Sequence, residues 1–173
     1  IESTVSPGNK AEQRMIHALH GKHLVYHSAP FQAESEVSGF FKLTAWISIH
    51  QPDTDFRAAV YEIDLTGSSI LLATDLVRAR YRETLREERL IRTAEPSRYD
   101  FDGFTFISRR IRKENRLRLV LGPINSIYYQ KNYNSGGVVA EESMQDARPV
   151  TVRLFHDAAR PSVLYVPYAH PEA

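Results

Sequence analysis

Apolar side chains recur at every second position along most of this chain, a spacing that lines them up on one face of an extended strand. From Phe41, the residues Leu43, Ala45, Ile47 and Ile49 alternate with Lys42, Thr44, Trp46, Ser48 and His50. Leu117, Leu119 and Leu121 alternate with Arg116, Arg118 and Val120, and Val152 and Leu154 with Arg153 and Phe155. Val77, Ala79 and Tyr81 alternate with Arg78, Arg80 and Arg82, which predicts a strand over Val77–Arg82. Further strands are expected at Leu24–His27, Phe56–Ile63, Ser69–Thr74, Tyr99–Ser108 and Val163–Tyr168. Turn chemistry separates them at Pro52-Asp53, Leu65-Thr66-Gly67-Ser68, Glu95-Pro96, Gly122-Pro123, Asn134-Ser135-Gly136-Gly137 and Arg160-Pro161-Ser162. Many short strands with regular breaks predict an all-β sandwich.

Two segments depart from the alternation. Lys10–Leu19 has the composition of a short helix, with Met15, Ile16 and Leu19 near one another. Thr84–Arg92 is rich in helix formers but lacks a broad apolar stripe, so it reads as an exposed loop or a single turn. Residues 1–22 read as a linker or approach segment, and 23–173 as the domain. A chain of 173 residues suits one domain. No apolar run reaches the roughly 20 residues of a membrane helix, and no charged-then-apolar leader opens the chain. The opening Ile1 suggests a processed chain or an excised piece. With no cysteine, the chain has no disulfide framework, thiolate metal site or thiol nucleophile; both cytoplasmic and exported proteins have such compositions.

The net charge of +1 averages two unlike parts. Between Arg78 and Arg118 lie 13 basic and 7 acidic residues, and the remainder carries 9 basic and 14 acidic. Arginines outnumber lysines 17 to 5, a bias suited to carboxylates, aromatic faces and interfaces. Glu83, Glu87 and Glu88 interrupt the arginine run and the pI is about 8.2, so a nucleic-acid surface is not expected.

Catalytic patterns are absent or broken. Gly67-Ser68-Ser69 places Leu71 where a nucleophile elbow needs glycine. His156 and Asp157 are adjacent, so on a strand they point to opposite faces. His17, His20, His23 and His27 are close in sequence. Imidazoles three apart on a helix share an ion, but the cluster has no recognisable ligand spacing, and the plainer reading is a solvent-facing approach segment. Asp53-Thr54-Asp55 opens like a calcium loop, yet Arg57 stands at the fifth position and no glycine follows. No metal or cofactor is expected. Tyr128, Tyr129, Tyr133 and Asn134 form the candidate contact group, for a ligand or for a protein interface. Asp53, Asp55, Arg78, Arg80 and Arg82 are expected to pair, either within the domain or across to another one.

The order of several segments is itself informative. Leu24-Val25-Tyr26-His27-Ser28-Ala29-Pro30, Glu36-Val37-Ser38-Gly39 and Pro52-Asp53-Thr54-Asp55-Phe56 are followed by Val77-Arg78-Ala79-Arg80-Tyr81-Arg82-Glu83. Arg116-Leu117-Arg118-Leu119, Asn134-Ser135-Gly136-Gly137 and Arg160-Pro161-Ser162-Val163-Leu164 complete the series. Over about residues 23–168 the chain resembles the C-terminal non-catalytic domain of the X-Pro dipeptidyl-peptidase and cocaine-esterase-like serine hydrolases, a group that includes the α-amino-acid ester hydrolases. Two stretches depart from the family's usual pattern: Gly122–Tyr129 and Glu114-Asn115. The resemblance implies a jelly-roll sandwich of the galactose-binding-like type. It also implies a Ser-Asp-His triad on an upstream α/β-hydrolase domain that is absent here, with this domain packing on it and shaping its cleft. A carbohydrate- or peptide-binding sandwich is the alternative, and a contact between copies of the chain is a third reading.

Overall fold

A computed structural model describes residues 23–124 and 128–168. Among the described residues ten strands carry the fold: β1 (Leu24–His27), β2 (Ser35–Gly39), β3 (Lys42–Ile49), β4 (Asp55–Ile63), β5 (Ser69–Arg78), β6 (Ser97–Phe101), β7 (Ile107–Ile111), β8 (Arg116–Gly122), β9 (Val152–Phe155) and β10 (Val163–Tyr165). All pairings are antiparallel. One sheet has the order β1-β8-β4-β5; a second has β10-β3-β6, with β9 also on β3; β2 and β7 form a two-stranded ribbon. This is the all-β sandwich that the alternation predicts.

The core lies between the sheets. Leu43, Ala45, Ile47 and Ile49 of β3 meet Phe56, Ala58 and Val60 of β4, with Tyr99, Phe101, Leu117 and Leu121. The rings of Phe56 and Tyr99 pack edge to face at 5.2 Å. Strand β4 sits between β8 and β5 and is buried on both faces, so its alternation is blurred. Its outer residues Ala59, Tyr61 and Ile63 join Val120 in a second, smaller cluster. At the β4–β5 turn, Asp64 Oδ1 accepts from the Thr66 and Ser68 amides at 2.8 and 2.9 Å, and Gly67 takes φ 79°.

Several strand boundaries differ from the sequence reading. The separate strands expected at Ser69–Thr74 and Val77–Arg82 are one strand, β5, which runs to Arg78 and is followed by one 3₁₀ turn over Ala79–Tyr81. Ala79 N donates to Thr54 O, Arg80 N to Asp53 Oδ1 and Arg82 N to Ala79 O, so tertiary partners replace a ladder. The strand expected at Tyr99–Ser108 is split into β6 and β7, where Gly103 N turns to Asp75 Oδ2 at 2.8 Å. The C-terminal strand stops at Tyr165; Pro167 has no amide to donate, and Tyr168 meets Val37 in an isolated bridge. Strand β2 was not expected, because only Val37 of its five residues is buried. Residues 84–92 form an irregular loop. The helix expected at Lys10–Leu19, like the whole 1–22 segment, lies outside the described residues.

Candidate functional site

One end of the sandwich is organised by ion pairs. Asp53 precedes β4 and is 0% exposed. Its Oδ1 accepts from Arg80 N at 2.9 Å and its Oδ2 from Arg80 Nε at 2.8 Å. Burial opposes the charge on Arg80, but Asp53 and Glu88 outweigh it and hold the guanidinium above its ordinary pKa. The remaining Arg80 donors reach Glu88 Oε2 at 3.0 Å and Gly137 O at 2.8 Å. Two residues along, Asp55 takes a two-pronged contact from Arg78, at 2.7 Å from Nε and 3.0 Å from Nη2. Bonding to Asp55 raises the Arg78 pKa. Asn132 Nδ2 joins the two carboxylates, at 2.7 Å from Asp53 and 3.0 Å from Asp55. Arg82 holds the loop after the 3₁₀ turn, donating to the carbonyls of Ala79 and Arg89 and pairing with Glu83 at 3.2 Å.

These pairs fix the loop from 128 to 150. Asn134 N donates to Asn132 Oδ1 and Asn134 Nδ2 to Arg148 O, both at 2.8 Å. Glu142 accepts from Tyr133 N at 2.8 Å and from Ser135 Oγ. Burial pushes the Glu142 carboxyl up, but hydrogen bonds from Ser135, Tyr133 and Gly137, with the Arg80 charge, hold it below its ordinary 4.5. Gly136 packs on Pro52 at φ 83°, where an added Cβ would meet Pro52 Cγ at 2.8 Å. Of the four candidate contact residues, Tyr133 and Asn134 are built into this loop, with Lys131 Nζ 5.2 Å from the Tyr133 ring centroid. Tyr128 and Tyr129 face solvent. Tyr129 lines a groove of about 700 Å³ with Asp55, Arg78, Arg82, Leu85 and Asp102. The groove thus gathers residues from both the pairing set and the aromatic set.

Sequence reasoning missed Asn132, Glu88 and Glu142. Asn132 is 79 positions from the Asp53 it binds, and no local pattern marks such a contact. The other candidate chemistry is dispersed. Asp157 pairs with Arg160 at 2.8 Å, which lowers its pKa. Ser69 is fully buried at the start of β5. Among the described residues no cluster of three His, Asp or Glu is arranged to hold a metal ion. His27 Nε2 accepts from Arg118 Nε at 2.8 Å, and His23 packs against Gly122. His17 and His20 lie outside the described residues.

Comparison with known proteins places this arrangement. The chain is 29% identical over 157 residues to cocaine esterase of Rhodococcus sp. (strain MB1 Bresler), covering 91% of this chain and 27% of that protein. A solved α-amino acid ester hydrolase superposes with a TM-score of 0.81 at 15% identity, over 91% of this chain and 27% of the other. An aminopeptidase from the marine sediment archaeon Thaumarchaeota archaeon gives 0.79 at 17% identity, over 88% and 26%. The chain therefore spans about a quarter of the length of these relatives. The model of the X-Pro dipeptidyl-peptidase C-terminal non-catalytic domain matches residues 6–163. With nearly the whole chain inside that match, this protein belongs to the X-Pro dipeptidyl-peptidase C-terminal non-catalytic domain family.

Proposed function

We propose that the chain is the accessory sandwich of a serine hydrolase of the dipeptidyl-peptidase and esterase type, packing on an α/β-hydrolase domain and shaping its substrate cleft. In this reading the strands wind as a jelly roll of the galactose-binding-like type. The parent reaction is serine attack through an acyl-enzyme, with the triad on the upstream domain. The observation that carries the reading is the convergence of three family-like segments on one buried network: Asp53 and Asp55, Arg78 and Arg80, and the carbonyl of Gly137. That network holds the loop bearing Tyr128 and Tyr129, both exposed, and Tyr129 lines a groove, where an aromatic side chain suits a cleft wall.

In the full-length hydrolase, Tyr128→Ala and Tyr129→Ala should each raise KM by roughly 3- to 10-fold with kcat little changed, as expected when uniform binding is lost. Unchanged KM in both variants would remove the cleft-shaping role. The exposed tyrosines also favour a second reading, a carbohydrate- or peptide-binding module. It predicts saturable quenching of tyrosine fluorescence by a sugar or peptide, abolished in Tyr128→Ala.

A further inference from the structure

On the outer face of the second sheet the described residues leave Lys42 exposed and Thr44 and Trp46 half-buried, with Ser48 covered at the far end. Residues at even positions of β3 point away from the core, and their cross-strand partners extend the same face. Tyr165 stands opposite Lys42, Val163 opposite Thr44, and Phe155 and Arg98 flank Trp46 on its two sides. Phe41 is fully buried while Phe40 is 58% exposed, so Phe40 continues the alternation beyond the start of β3. It packs edge to face on Phe106, itself 59% exposed, at 5.4 Å. Tyr165 is 55% exposed. An aromatic band therefore crosses a solvent-facing sheet, rich in the Trp, Tyr, Phe and Arg of interface centres.

The charges around the band have one sign in excess. Asp100 is engaged by Arg98 and Thr44, and Asp157 by Arg160, whose guanidinium also lies 4.4 Å from the Phe155 ring centroid. Lys42 and Arg153 have no carboxylate partner among the described residues. The complementary surface is apolar at its centre and carries carboxylates at its rim. The chain is the C-terminal-domain quarter of its relatives, so the bulk of such a protein is available to supply that surface.

We infer that this face, and not only the loop end, is the docking surface for the α/β-hydrolase domain of the same polypeptide, with carboxylates of that domain meeting Lys42 and Arg153. The inference rests on the accessory-domain reading above. Hydroxyl-radical footprinting of the full-length hydrolase tests it, with Tyr26 as internal reference: it sits on β1 at the edge of the other sheet and is 39% exposed, against 55% for Tyr165. Docking predicts oxidation of Tyr165 about fivefold or more slower than of Tyr26 despite its greater exposure, with Phe40 and Phe106 also protected, at every protein concentration. Lys42→Glu combined with Arg153→Glu, both at exposed positions, should bring Tyr165 up to at least the Tyr26 rate. A compact particle by X-ray scattering with Tyr165 oxidised at least as fast as Tyr26 would overturn this face and leave the accessory reading standing. A detached, independently tumbling sandwich would overturn both. Protection that fades on dilution would assign the face to a second copy and also refute the proposal.

Discussion

Asp53 and Arg80 illustrate how one ion pair governs a whole end of the molecule. A buried carboxylate is tolerable only when its lone pairs are met, and Asp53 meets an amide, a guanidinium and an amide side chain. Arg80→Ala strands that carboxylate, and should cost about 3–5 kcal/mol in chemical denaturation. Arg80→Lys should recover little of the loss, because an ammonium cannot reach Asp53, Glu88 and Gly137 O together. Tyr99 offers the opposite case. Its hydroxyl is buried without a hydrogen-bond partner among the described residues, and burial pushes its pKa from 10.0 up to about 12. The phenol must stay neutral in the fold, so its contribution is full below pH 10 and is lost as pH rises towards 12. Tyr99→Phe should therefore be neutral to slightly stabilising near pH 7, and gain about 1 kcal/mol over the parent chain near pH 11. Equal pH profiles for the two proteins would contradict the assignment.

Among the elements, those with a clean two-residue period were readable from the sequence. Strand β3 sets Leu43, Ala45 and Ile47 on the core, and β8 Leu117, Leu119 and Leu121, as their residue order states, although Arg118 and Val120 on the other face of β8 are buried too. Strand β2 was not readable, because a strand with Val37 as its one buried residue leaves four other positions with no apolar signature. Arg78-Ala79-Arg80-Tyr81-Arg82 misleads for a physical reason: alternation mimics a strand, while Asp53 and Thr54 claim the backbone amides and wind it into a turn. The pairing of acids and arginines was legible as chemistry, but Asn132, which ties the pairs together, was not, because its partners are remote in sequence. The 128–150 loop yields two predictions. Gly136→Ala combines a positive φ with a clash on Pro52 and should lower stability by about 1–3 kcal/mol. For Glu142, the folded pKa lies below 4.5, so its stabilisation is present above pH 4.5 and lost as pH falls through the folded value. Glu142→Gln should destabilise the chain at pH 7, and the gap from the parent should close on acidification, as followed by urea melts.

At the scale of the whole molecule, the near-zero net charge conceals a domain built for company. Its arginine-rich middle spends several charges internally, on Asp53, Asp55, Glu62 and Glu88, yet an aromatic sheet face and an aromatic loop remain turned to solvent. Family membership and a span of about a quarter of the relatives' length agree with a domain whose chemistry is supplied elsewhere. The most direct test is the initial rate of hydrolysis of amino-acid p-nitroanilides and activated esters by this chain alone. The accessory-domain account predicts no rate above buffer at any enzyme concentration. Turnover that scales with the concentration of the chain and is abolished by a serine-directed phosphonate would contradict it.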